Sequence, residues 1–120
     1  MLKRILVLDD NQDFLDTMQE ALSYEKFEVN ITKNSKDIID TVNDYRPDLV
    51  ILDYKQSGPK GDDICRQIKN NTRLLHTPVI ICSAYINNKE LMSCGCDAII
   101  SKPFGLDELM GKVNNLVYSV

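Results

Sequence analysis

Short aliphatic runs alternate with stretches of helical periodicity along the chain, and this alternation restricts the possible folds more than any other feature. There are five runs, and they span Lys3–Asp9, Phe27–Thr32, Asp48–Asp53, Pro78–Cys82 and Asp97–Ser101. The second alternates apolar and polar residues, which predicts a half-exposed edge strand. Strands that alternate with helices predict a parallel sheet covered on both faces. Five such units are too few for an eight-stranded barrel, so we predict an open, doubly wound α/β sheet with strand order 2-1-3-4-5.

The segments between and after the runs predict five helices, four of which have one apolar face. The fourth, from Ile86 to Ser93, is short and polar, and Ser35 is placed to cap the second. The last helix directs its apolar side chains inward, namely Leu106, Leu109, Met110, Val113, Leu116 and Val117. A chain of 120 residues without an internal repeat or a linker is predicted to form one domain, residues 1–120.

The run from Asp48 to Asp53 has four unbroken aliphatic residues between two acids. A short run without polar alternation is typical of a strand buried on both faces in the middle of a parallel sheet. Asp53 would then lie at the carboxyl end of a central strand, where open α/β sheets bind ligands. Alternatively, Asp53 merely starts a loop or caps the next helix, and the run by itself does not decide between the two.

The net charge and the hydropathy of the chain argue against several classes of function and location. The net charge of −4 argues against direct binding of nucleic acid. No apolar run is as long as a membrane span, and the first run becomes acidic too early for a signal peptide. We therefore expect a cytoplasmic protein that does not bind membranes.

The four cysteines do not predict a zinc site. Cys65 and Cys82 occupy apolar positions and are expected in the core as small hydrophobic residues. One residue separates Cys94 from Cys96, whereas zinc knuckles usually have roughly two to four between their ligands, and His76 is the only histidine.

Polar side chains follow most of the predicted strands at their carboxyl ends: Asp9 and Asp10, Asp53, Ser83 and Lys102. Strands 1 and 3 are neighbours in the predicted order, so three carboxylates are expected to converge. Carboxylates in contact raise one another's pKa, and an all-oxygen site open to phosphate suits Mg²⁺. A nucleophilic carboxylate, a metal ion, a hydroxyl and an ammonium group are what stabilise a phosphoryl group on Asp53.

These strand-end residues belong to a set of motifs that together resemble those of a known protein family. The motifs are Asp9-Asp10, the run from Pro47 to Asp53, Gly61, Pro78-Val79-Ile80, Ser83-Ala84 and Lys102-Pro103-Phe104. The whole chain resembles the receiver domain of a two-component response regulator, of the single-domain chemotaxis-regulator type. The resemblance implies a flavodoxin-like fold and a role in phosphorelay signal transduction.

By that resemblance, Asp53 accepts a phosphoryl group from the phosphohistidine of a histidine kinase or a histidine phosphotransfer protein. The implied Mg²⁺ ligands are the side chains of Asp9, Asp10 and Asp53 and the backbone carbonyl of Lys55. Ser83 and Lys102 would contact the phosphoryl oxygens, and the Lys102-Pro103 peptide bond is predicted to be cis. Such a domain catalyses its own phosphorylation and dephosphorylation. It signals by contact with a target protein, whose identity the sequence does not reveal.

The chain departs from the family pattern at several positions. Ile99 stands where receivers commonly carry an aromatic switch residue. Lys102 follows Ser83 by 19 positions, about one helical turn less than is usual in the family, which shortens the fourth helix. Lys55 and Tyr85 occupy the two positions that flank the phosphoryl group.

Two functions other than that of a phosphorylated receiver can be compared with the sequence. One is a receiver-like interaction module with weak or no phosphorylation, favoured by the missing aromatic and disfavoured by the intact set of strand-end residues. The other is an enzyme that binds a nucleotide or flavin, which would need glycines after the first strand to bring N–H groups onto phosphate. The loop from Asp9 to Asp13 is acidic and has no glycine, so it suits a metal ion and repels a dinucleotide.

Overall fold

The structure is a computed structural model of the chain, and it describes residues 2–55, 60–84 and 91–118. The strands are β1 (Arg4–Leu8), β2 (Glu28–Thr32), β3 (Leu49–Asp53), β4 (Val79–Ser83) and β5 (Ala98–Ser101). The helices within the described residues are α1 (Gln12–Tyr24), α2 (Ile38–Tyr45), α3 (Gly61–Lys69) and α4 (Leu106–Val117).

The strands form one sheet in the order β2-β1-β3-β4-β5, and every pairing is parallel. The predicted fold class and strand order are therefore confirmed. All five residues of β3 are buried, because this strand is central and helices cover both of its faces. The edge strand β2 has no fully buried residue, as its alternating sequence predicted.

Two hydrophobic cores lie on opposite faces of the sheet, because successive side chains of a strand point to opposite faces. Ile5 and Val7 of β1 pack beneath α1 and α4, whereas Leu6 and Leu8 pack beneath α2 and α3. Each fully buried side chain of this size contributes about 1.5–3 kcal/mol to folding. Cys65 and Cys82 lie in these cores as predicted, and all four cysteines are buried free thiols.

The start of α2 differs from the prediction that Ser35 caps it. The helix begins at Ile38, after Asp37, because local hydrogen bonds hold the preceding residues in turns. The Asn34 N–H donates to the Thr32 hydroxyl at 3.0 Å, and the Lys36 N–H donates to the Asn34 side chain at 3.0 Å.

Leu106 was also predicted wrongly, since 52% of its surface is exposed. It is the first residue of α4, where the apolar face has not yet turned toward the sheet. The remaining predicted residues of that face, from Leu109 to Val117, are buried or half-buried. Between β4 and β5, Leu91 and Met92 are helical, while the rest of the predicted fourth helix lies outside the described residues.

None of the helices in the described part of the chain has the length and apolar character needed to cross a membrane.

Candidate functional site

Three charged side chains meet at the carboxyl edge of the sheet. Asp9 follows β1, Asp53 ends β3 and Lys102 follows β5. The Lys102 Nζ lies 2.8 Å from the Asp9 Oδ2 and 3.3 Å from the Asp53 Oδ1. Both carboxylates are nearly buried, with side chains 3% and 11% exposed, so one ammonium group joins two acids away from most of the water.

The loop after β1 holds the Asp9 carboxylate from its other side. The Asn11 N–H donates to the Asp9 Oδ1 at 2.9 Å, and the Asn11 side chain in turn accepts from the Phe14 N–H at 2.9 Å and caps α1. The Phe14 ring lies beneath the ammonium group, with its centroid 4.1 Å from the Lys102 Nζ. The start of α1 therefore orients both partners of the Asp9–Lys102 ion pair.

Lys102 is held by its backbone as well as by its charge. Its N–H donates to the Ser83 carbonyl at 2.9 Å, which ties the residue after β5 to the end of β4. The Lys102-Pro103 peptide bond is cis, as predicted. Ser83 is buried beside this strand end, so the predicted hydroxyl lies on the same edge as the ammonium group.

At the centre of the site, two carboxylates share a single ammonium group. Burial and the nearby Asp9 charge raise the pKa of Asp53 above its ordinary value, although Lys102 and the Lys55 N–H act in the opposite direction. Burial alone would lower the pKa of Lys102, but its hydrogen bond to Asp9 and the charges of both carboxylates outweigh that effect and raise it. The ammonium group therefore stays protonated, while the site disfavours the ionised form of Asp53.

Gly61 allows α3 to begin directly against the end of β3. A Cβ at this position would lie 2.7 Å from the Asp53 backbone oxygen and 2.9 Å from the Tyr54 Cα. The Gly61 N–H donates to the Tyr54 carbonyl at 3.0 Å, and this hydrogen bond ties the start of α3 to the end of β3.

We expect Gly61→Ala to lower the free energy of unfolding by about 1–3 kcal/mol, because the added methyl group meets backbone atoms that cannot rotate away. Gly111→Ala is the matched control. A Cβ there meets nothing within 4 Å in the described structure, so the helix α4 should gain about 0.5–1 kcal/mol. Urea unfolding of the two variants measures both effects, and equal effects would contradict the close approach at Gly61.

The predicted site residues are brought together only in part. Asp9, Asp53, Ser83 and Lys102 lie at one edge, and Lys55 donates its backbone N–H to the Asp53 carboxylate. Tyr85 lies outside the described residues. The contact of Phe14 with the ammonium group was not predicted, because helical spacing indicates only that this ring lies on the apolar face of α1.

The three acids do not form one cluster, which corrects the expected convergence. Within residues 2–55, 60–84 and 91–118, no three His, Cys, Asp or Glu side chains are close enough to share a metal ion. Asp10 is exposed, and the Lys102 ammonium group occupies the position between the other two carboxylates.

The donor chemistry nevertheless fits Mg²⁺. The candidate side-chain ligands are hard carboxylate oxygens, which is the ligand type that Mg²⁺ binds. Burial and the neighbouring Asp9 charge raise the pKa of Asp53, and a divalent cation beside these two carboxylates would favour the ionised form of Asp53 that coordinates it. A depression of about 540 Å³ opens beside these groups and is lined by Asp53, Tyr54, Lys55, Lys60, Ala84 and Lys102.

The sequence matches one protein family over most of its length. Residues 5–114 match the response regulator receiver domain. The chain is 34% identical over 116 residues to the nisin biosynthesis regulatory protein NisR of Lactococcus lactis subsp. lactis, and the alignment covers 94% of this chain and 49% of NisR. The chain thus spans about half the length of that curated relative.

Solved structures agree with the fold. A putative response regulator from Chloroflexus aurantiacus is 20% identical, with a TM-score of 0.92 and 98% of each chain covered. The receiver domain of the sensor histidine kinase PA1611 from Pseudomonas aeruginosa is 19% identical, with a TM-score of 0.89 and 99% of this chain and 100% of that chain covered. That structure has a magnesium ion coordinated in its active-site cleft. By sequence match and by fold, this chain belongs to the response regulator receiver domain family.

Proposed function

We propose that the chain accepts a phosphoryl group on Asp53 from the phosphohistidine of a histidine kinase or of a histidine phosphotransfer protein. The observation that carries this proposal is the position of Lys102, whose ammonium group lies between Asp9 and Asp53 at 2.8 and 3.3 Å. Membership of the receiver family supports the same reaction. It also favours this role over an interaction module without phosphorylation.

The proposed transfer uses one carboxylate oxygen of Asp53 as the nucleophile. That oxygen forms a bond to phosphorus while the bond from phosphorus to the histidine nitrogen breaks, and the imidazole of the donor leaves with its electron pair. Lys102 already contacts Asp53 and is positioned to pair with the oxygens of the incoming phosphoryl group. The Ser83 hydroxyl lies at the end of the next strand and would donate to the same group.

Mg²⁺ would be held by Asp9, Asp10, Asp53 and the backbone carbonyl of Lys55, and when bound it neutralises charge on the phosphoryl oxygens. The magnesium ion in the PA1611 receiver supports this choice of metal. Bound Mg²⁺ would also offset the Asp9 charge, which together with burial raises the pKa of Asp53.

The domain itself would act on its own aspartate and would signal by contact with a downstream protein. We propose that it works in the cytoplasm, because its four cysteines are free and buried, as is usual for proteins of a reducing compartment. Treatment of the wild-type chain with acetyl phosphate and Mg²⁺, followed by intact-mass spectrometry, tests the proposal. One added phosphoryl group is expected, and no addition with Mg²⁺ present would overturn it.

Asp10→Asn is expected to weaken stabilisation by Mg²⁺. A ligand present at a hundred times its Kd stabilises the folded state by about 2.7 kcal/mol, so a variant that binds Mg²⁺ tenfold more weakly would gain only about 1.4 kcal/mol. Thermal unfolding across a Mg²⁺ titration measures the difference. Glu20→Gln, which removes an exposed acid from α1, is the control, and an identical Mg²⁺ response in both variants would show that Asp10 is not a ligand.

A further inference from the structure

A second depression, of about 530 Å³, lies at the opposite edge of the sheet from Asp53 and Lys102. It lies between the carboxyl end of α2 and the segment that leads from α3 into β4. Its volume is within the roughly 300–1,000 Å³ typical of small-molecule sites. Val42 and Leu74 line it as buried residues, and its exposed or half-buried lining residues include four polar ones: Asn43, Arg46, Arg73 and Thr77.

The two arginines of this depression differ from the other two in the chain. Arg4 pairs with Glu28 at 3.2 Å, and Arg66 pairs with two aspartates of α3. Arg46 and Arg73 are both exposed, and neither guanidinium group makes an ion pair or a hydrogen bond with any residue that the structure describes. Two guanidinium groups thus border one cavity with their donors available to a ligand.

The backbone of Arg46 is strained. This residue follows α2 in the left-handed conformation, with φ 53° and ψ 60°, and its N–H donates to the Val42 carbonyl at 3.0 Å. Glycine adopts this conformation without the clash that a Cβ causes, and it is the residue usually found there. Strain of this kind is concentrated at functional sites, so an arginine at this position points to a use for its side chain.

Positive charge continues beyond the depression itself. Arg46 also borders a neighbouring depression that is lined by Lys3, Arg4 and Asp48. The Asp48 carboxylate already accepts a hydrogen bond from the Arg4 N–H at 2.8 Å. Arg4 is paired with Glu28, so Lys3 is the residue that adds positive charge beside Arg46 there.

We propose that this depression binds the diphosphate group of a small phosphorylated molecule. Guanidinium groups present paired N–H donors that match two phosphate oxygens, and two such groups at one depression suit two linked phosphates. Asn43 and Thr77 add uncharged hydrogen-bonding groups. The site is separate from the proposed phosphoacceptor site and does not depend on it.

Pyrophosphate and ADP are the probes, titrated into the full chain in EDTA so that no Mg²⁺ site contributes. Arg46→Gly removes the guanidinium group and relieves the backbone strain, so its melting temperature should rise while its affinity falls at least tenfold. Arg73→Gln should lose affinity to the same degree. Arg66→Gln removes a paired guanidinium group away from the depression and should bind like the wild-type chain.

In wild-type protein we expect saturable binding with a Kd below about 1 mM, and amide shifts centred on Asn43 and Thr77. Tighter binding of ADP would show that the depression also contacts the nucleoside, and equal binding would show that the diphosphate group is sufficient. The proposal is overturned if neither probe saturates, if Arg46→Gly and Arg73→Gln bind undiminished, or if the shifts centre on Lys102.

Discussion

Asp53→Asn is expected to abolish phosphorylation of the chain without destabilising it. Asparagine has nearly the same volume as aspartate and keeps an oxygen for the Lys102 Nζ, which lies 3.3 Å from the Asp53 Oδ1. An amide, however, is not the nucleophile that a carboxylate is. Because burial and the Asp9 charge disfavour the ionised form of Asp53, the neutral amide should fold at least as stably at neutral pH.

The measurement is intact-mass spectrometry after incubation with acetyl phosphate and Mg²⁺, together with urea unfolding of the same samples. Asp48→Asn is the matched control, because Asp48 precedes β3 at the other end of the strand, where its carboxylate accepts a hydrogen bond from the Arg4 N–H at 2.8 Å. The control should be labelled like the wild-type chain. Equal labelling of Asp53→Asn would remove Asp53 from its proposed role.

Lys102→Met is expected to cause the largest loss of stability among the site variants. It keeps the aliphatic length of the side chain but leaves two nearly buried carboxylates without their shared ammonium group. Removing one partner of a buried ion pair costs about 3–5 kcal/mol. Since the Lys102 side chain is 25% exposed, we expect a smaller loss of about 2 kcal/mol at neutral pH without Mg²⁺.

The pH dependence of that loss follows from the direction of the pKa shift. The pKa of Asp53 is higher in the folded state than in the unfolded state, so protonation of Asp53 stabilises the folded chain. This stabilisation is complete at pH values below the pKa of Asp53 in the unfolded state. It is lost as the pH rises through the pKa of Asp53 in the folded state. Without Lys102 the folded pKa of Asp53 rises further, so the variant should lose more stability than the wild-type chain between about pH 4 and pH 7.

Urea unfolding in EDTA at both ends of this pH range measures the effect. Lys55→Met, which removes an exposed lysine from the same edge of the sheet, should show the wild-type pH dependence. The double variant Lys102→Met with Asp53→Asn should recover much of the loss, because it removes one of the two unpaired charges. A Lys102→Met loss that does not change with pH would indicate that lost packing, and not charge, is responsible.

Much of the fold could be predicted because its signals are local. The aliphatic run before Asp53 identified a central strand, and the alternating sequence of β2 identified an edge strand. Both patterns follow from how many faces of a strand are covered, and that number decides which residue types can be buried. The errors occurred at helix starts, at Ser35 and Leu106, where a few local hydrogen bonds or the first helical turn decide the outcome.

The arrangement within the site depended on contacts between distant parts of the chain. Lys102 lies 93 residues from Asp9 and 49 from Asp53 along the sequence, yet its ammonium group joins both carboxylates. No local pattern reports which of several charged side chains at a strand end turns inward. Asp10 therefore looked equivalent to Asp9 in the sequence, although it is exposed in the structure.

The sequence by itself determined which side chains reach the carboxyl edge of the sheet, because strand ends follow from the hydrophobic pattern and parallel strands share one carboxyl edge. Tertiary structure alone decided that Lys102 separates Asp9 from Asp53 and that Phe14 lies beneath the ammonium group at 4.1 Å. It also decided that Arg46 and Arg73 border one depression at the opposite edge. The physical reason is that charge pairing acts through space over a few ångströms, whereas the periodicity of a sequence reports only which face of an element is buried.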